Sequence, residues 1–181
     1  MLRSIQWRLI LIYSLIIVLA MVSVSIYLLQ RLEDYYLSKA NVALLTSGNL
    51  IYESLQREFK KEQVPIALAE SLISDLRRRD EEATVLLIDN QGYVVAASFN
   101  VAADKYRGAN VISYNTVVEA LGNKEAASGV RREESGRRYY TVAIPISGSI
   151  KKGTSIEAVA LIFIQEPLDD TYEILREVMM R

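Results

Sequence analysis

Apolar residues follow one another without a charge from Leu9 to Leu29. As a helix rising about 1.5 Å per residue, such a run covers the roughly 30 Å of a bilayer's hydrocarbon core. Trp7 just before it and Tyr27 near its far end suit the two membrane–water interfaces. The pattern predicts a transmembrane helix over 9–29. Ser23-Val24-Ser25 would pass as a leader-peptide cleavage site, but the apolar run continues beyond it, so an uncleaved anchor is expected.

The pattern stays helical from Gln30 to about Lys61. Leu28, Leu32 and Tyr35 are spaced four then three, a narrow seam of the kind two parallel helices share. Leu44, Leu45, Gly48, Ile51, Tyr52, Leu55 and Phe59 form a wider stripe, suited to lying on a sheet. Pro65 is placed to open a second helix whose apolar face is Ile66, Ala69, Leu72, Ile73 and Leu76. Arg77-Arg78-Arg79 would close that helix, and Asp80-Glu81-Glu82 would turn away as a solvated cap.

Next comes a hairpin: Thr84–Ile88 and Tyr93–Ala97 flank Asp89-Asn90-Gln91-Gly92, with Asp first and Gly last as in a type I turn. Apolar residues at both parities imply that each face of this sheet is covered. An irregular stretch from Phe99 to Tyr114 leads to a short helix, Thr116–Leu121, capped by Asn115 and ended by Gly122. Strands follow at Ala127–Glu134 and Arg137–Ile146, with Pro145 marking an edge or bulge. Ser147–Ser155 is expected as a loop and Ile156–Ile164 as a final buried strand. Pro167 would open a last helix in which Leu168, Tyr172, Leu175 and Met179 repeat the four-three step. The expected class is α+β: a transmembrane helix, a long helix, a five-stranded antiparallel sheet and an exit helix.

Composition narrows the chemistry. The chain of 181 residues has 21 Lys+Arg, 22 Asp+Glu, no His and no Cys. Without histidine there is no Ser-His-Asp triad, no His-based zinc site and no phosphoacceptor histidine. Thiolate metal sites and disulfides are excluded too. Near-neutral, interspersed charge argues against nucleic acid as a partner. No catalytic, metal or cofactor residues are expected, and nothing matches a nucleophile elbow or a P-loop. Arg3 and Arg8 precede the apolar run with no acid before Glu33, which favours a cytoplasmic N-terminus.

Several segments together carry a resemblance: VLLIDNQGYVVAAS, EALGNKEAASGV, and RRYYTVAIPI followed by AVALIFIQEPLDDTYEILREV. In their order they resemble the extracytoplasmic PAS-like (single Cache-type) sensor domains of bacterial two-component histidine kinases, above all the cell-wall and phosphate-response kinases. Chemotaxis receptors and diguanylate cyclases carry similar modules. The resemblance implies a cytoplasmic 1–8, an anchor at 9–29, an extracytoplasmic sensor domain at 30–166 and an exit helix at 167–181 leading to a second membrane helix. It implies a sensor module in the cell membrane, a homodimer, and an extracytoplasmic small ligand or protein as the signal. Leu28, Leu32, Tyr35, Leu168, Tyr172, Leu175 and Met179 would form the dimer seam.

By the same resemblance the ligand pocket lies over the central sheet, beneath the loop after the second strand. Tyr93, Ser98, Arg107, Tyr139 and Tyr140 could reach it. Arginine can hold a carboxylate at two points, and tyrosine offers an apolar body with a hydroxyl. Tyr139 and Tyr140 point to opposite faces, so only one of them can line a given pocket. A pilin-like structural subunit also has an apolar helix before a sheet. It lacks support here, since Arg8 precedes the run and the run holds no acid.

Overall fold

The structure is a computed structural model that describes residues 5–60, 64–77, 83–98, 105–133 and 135–168. The chain divides into two compact units, Met1–Lys39 and Ala40–Arg181. Helix α1, Ile5–Phe59, contributes to both.

In the first unit the residues from Trp7 to Leu28 are exposed around the whole helix, Leu15, Ile17 and Met21 among them. A helix apolar on every side belongs in a non-aqueous medium. This one is long and apolar enough to cross a membrane, with a mean hydropathy of 2.8 in its most apolar window. Its hydroxyls suit that medium: Ser23 and Ser25 each donate to the carbonyl one turn back, Leu19 and Met21, at 2.8 Å. Leu28, Leu32 and Tyr35 are exposed on the same helix.

The second unit is a sheet with helices on both sides. Its elements after α1 are β1 (Val64–Pro65), α2 (Ile66–Arg77), β2 (Thr84–Ile88), β3 (Val94–Ala97), α3 (Asn115–Asn123), β4 (Ala127–Arg132), β5 (Arg138–Lys152) and β6 (Ser155–Pro167). The path through the sheet is β1-β5-β6-β2-β3, and β4 also pairs with β5. Five strands are antiparallel neighbours, as expected. The sixth is an addition: β1 pairs parallel with β5 at Ile150 and Lys151, which makes the sheet mixed. Pro65 therefore ends a two-residue strand, and α2 starts one residue later.

Parity along the strands sorts two cores. Leu86, Ile88, Ala143, Leu161 and Phe163 face Tyr106, Val111, Val117 and Ala120 from the loop and α3. On the other face α1 settles through Leu44, Gly48, Ile51 and Leu55, part of the wide stripe. A Cβ on Gly48 would strike Ile144, so glycine is what allows this close approach. Ala69 and Ile73 of α2 are fully buried as well. Every residue of β2 and β3 is buried, which accounts for their lack of apolar–polar alternation.

Four boundaries differ from expectation. Helix α3 carries on past Gly122, and the left-handed residue that ends it is Lys124 (φ 56°), whose N–H bonds Ala120 O at 3.0 Å. Its N-cap is Tyr114, without a side-chain cap bond, and Asn115 is already helical. The Ser/Gly/Lys-rich 147–155 is not a loop. Strand β5 runs on to Lys152 because Ile150 is buried and its backbone stays paired with β6 at Glu157. Pro145 does sit at an irregularity, since the β5–β6 register shifts between Pro145 and Gly148. Pro167 ends β6 opposite Tyr139 rather than opening a helix. Leu168 is buried, its N–H bonded to Arg138 O at 2.8 Å. The remainder of the expected exit helix, with Tyr172, Leu175 and Met179, lies outside the described residues, as does the cap 78–82.

Candidate ligand-binding groove

An open groove of about 670 Å³ runs between the first turn of α3 and strand β4. One wall is the α3 N-terminus, the positive end of the helix dipole. The other holds Arg131 and Arg132, with Glu119 and Glu133 on the rim.

Arg131 organises the floor. Its guanidinium carbon lies 4.3 Å from the ring centre of Tyr114 and 5.2 Å from that of Tyr139. Its Nη2 donates to Tyr106 Oη (3.3 Å) and Gln165 Oε1 (3.1 Å). Gln165 Nε2 donates in turn to the same phenol oxygen at 3.1 Å. The Nε of Arg131 is buried and makes no hydrogen bond among the described residues. Next to this network Thr141 Oγ1 donates to Gly129 O (2.9 Å) and lies 3.3 Å from Thr116 Oγ1. Hydrogen bonding of a buried network in this way fixes its side chains in place.

The rim carries a charge pair. Lys105 Nζ donates to Glu133 Oε1 at 2.7 Å. That bond holds the Glu133 carboxyl below its ordinary range and the Lys105 amine above its own. The Tyr114 phenol is pushed up, chiefly by burial, against the opposing pull of Arg131. Stability from Tyr114 and Lys105 is complete below their ordinary values and lost as pH rises through the higher folded ones. Stability from Glu133 is present above the ordinary carboxylate range and lost as pH falls through its lower folded value. The melting temperature of the full chain in detergent is thus expected to decline above about pH 10. Tyr114→Phe should make that alkaline decline shallower, read by circular dichroism between pH 8 and 11.

Of the expected site residues, only Tyr139 reaches this network. Tyr140 faces the other way, buried, with its hydroxyl 3.4 Å from Ser128 Oγ. Ser98 is fully buried and joins β3 to β2: its Oγ accepts from Val85 N–H and its N–H donates to Val85 O. Tyr93 is exposed and lines a separate groove of about 430 Å³ with Lys152 and Glu157, at the other end of β6. Arg107 is bonded to Glu70 of α2 and to Ala97 O. The residues that sequence reasoning missed are Tyr106, Tyr114, Arg131 and Gln165. One signal was available: Gln165 shares parity with Leu161 and Phe163, so a polar side chain falls where the strand is buried. Among the described residues no three acidic side chains gather to hold a metal ion.

No protein-family model matches the sequence. No curated protein matches it either. Solved structures do. An extracellular ligand-binding receptor from Desulfohalobium retbaense superposes with a TM-score of 0.53 at 8% identity, over 73% of this chain and 24% of that one. At that likeness the two share a fold. The sensor domain of the Vibrio cholerae histidine kinase DctB gives a TM-score of 0.46 at 18% identity, over 73% of this chain and 52% of its own. The ligand-binding domain of the Pseudomonas aeruginosa amino acid chemoreceptor PctC, solved with GABA, gives 0.41 at 11%, over 74% and 61%. This chain spans about a quarter of the first neighbour and about half of the second. In this fold the groove opens on the face covered by α3 and the loop 105–114.

Proposed function

We propose that this chain is the signal-input module of a transmembrane receptor, most specifically of a two-component sensor histidine kinase. Residues 9–29 anchor it, 1–8 lie in the cytoplasm, 30–166 form the extracytoplasmic sensor, and 167–181 return toward a second membrane helix. Two copies pair along Leu28, Leu32 and Tyr35, with Tyr172, Leu175 and Met179 continuing the seam, while Leu168, buried beside β5, has no part in it. A ligand that prefers one packing of loop and sheet shifts that equilibrium, and the helices report the shift. The catalytic steps belong to other domains of the receptor.

One observation carries the reading of the site: Arg131 and Arg132 line an open groove together with the N-terminal turn of α3. Both favour an acceptor oxygen that carries negative charge. The ligand is therefore a small carboxylate. A thermal-shift panel of amino acids and short mono- and dicarboxylates on the full chain in nanodiscs tests this. At least one compound is expected to raise the melting temperature. Its affinity should fall about 10- to 100-fold in Arg131→Gln, the loss of one charge-assisted hydrogen bond. Arg131→Lys keeps the charge and should retain part of the binding. Equal binding by wild type and Arg131→Gln would remove the groove from consideration.

A further inference from the structure

The loop after β3 is held from both faces of the sheet. Tyr106, 6% exposed, points into the groove network, where its phenol oxygen accepts from Arg131 and Gln165. Its neighbour Arg107 reaches the other way. Its Nη1 pairs with Glu70 Oε1 on α2, and its Nη2 lies 3.4 Å from Ala97 O at the end of β3. Glu70 is nearly buried, its side chain 10% exposed, whereas that of Arg107 is 37% exposed. A carboxylate so placed is poorly solvated and depends on its cationic partner more than a surface acid does.

Two consecutive residues thus tie the groove to a helix on the opposite side. Displacement of Tyr106 must pull on Arg107 through a single peptide unit, and Arg107 is hydrogen-bonded to α2. We infer that the Glu70–Arg107 pair is a coupling latch, with Arg107 as a positioning residue that makes α2 respond to the state of the groove. This inference rests on the groove being the input site, but its test uses no ligand. Absence of a ligand and absence of coupling therefore give different results.

The test is a mutant cycle read by amide hydrogen exchange on the full chain in nanodiscs. Tyr106→Phe keeps the ring and removes the acceptor shared by Arg131 and Gln165. In the wild-type background it should speed exchange in α2 about 3- to 10-fold, in the range of couplings between residues of one network. In Glu70→Gln the same change should leave α2 exchange within twofold. The charge-swapped pair Glu70→Arg with Arg107→Glu should regain the response. Core amides of β6 serve as the reference for global opening. The inference fails if Tyr106→Phe leaves α2 unchanged in the wild-type background. It fails equally if α2 accelerates by the same factor with and without Glu70, as a purely structural ion pair would allow.

Discussion

Phe163→Ala is expected to lower the unfolding free energy by about 3–5 kcal/mol, the range for removing a large aromatic from a closed core. Phe163 is fully buried at the centre of the sheet, paired across it with Ala143 on β5 and Leu86 on β2. Its ring lies 5.8 Å from that of Tyr114, which itself packs on the Arg131 guanidinium. Small alanines at 97, 120, 127 and 143 line the same core and cannot swell to fill the space. Domains of this size are stable by only about 5–15 kcal/mol, so the loss is a large share of the whole. Urea unfolding of the full chain in detergent, followed by far-ultraviolet circular dichroism, measures it. Phe163→Leu should cost far less, and a similar midpoint for the alanine and leucine variants would contradict the account.

Gly92→Val should be nearly as damaging, through the backbone rather than a cavity. Gly92 closes the β2–β3 turn at φ +87°, where a β-branched residue is strained by about 1–3 kcal/mol. Any Cβ there would also lie 2.9 Å from the backbone N and Cα of Ile112. That contact cannot relax by a rotamer change, because Val111 N–H donates to Gly92 O at 2.8 Å and holds the two segments together. Together the two effects amount to about 2–5 kcal/mol. The loop that seats Tyr106 and Tyr114 should detach first. Loss of amide protection at Ala109 and Val111 ahead of β6 is the expected signature.

Much of this architecture is visible in the order of residues. Helix α1 and the β2–β3 hairpin depend on local signals: an uncharged run, a stripe spaced 44, 48, 51, 55, and Asp89 preceding Gly92 by three positions. The Asp89 carboxylate accepts from the N–H groups of Gln91 and Tyr93 at 2.8 Å, so the turn chemistry is local as well. The extension of β5 is hidden because Ser147, Gly148 and Ser149 have the composition of a loop. Their conformation is set by the ladder to β6 and by Phe59, which lies against Gly148. The groove was the least legible part. Tyr106 and Gln165 stand 59 residues apart, and Arg131 and Gln165 stand 34 apart. No local pattern announces such a meeting. Arg107 was singled out for its charge, yet its partner Glu70 is 37 residues away on a helix read only for its apolar face.

The register shift between Pro145 and Gly148 divides the long β5–β6 ribbon into two segments. Residues 139–145 pair with 161–167 near the groove, while 148–152 pair with 155–159 toward the tip. At the tip Gly153 adopts φ +63°, with open space around the position of a Cβ. Protein engineers can use that division. A reporter peptide or fluorophore-binding tag spliced between Gly153 and Thr154 would lengthen only the outer segment. The side chains that build the groove would keep their pairing, and the module would carry its label without altering what it recognises.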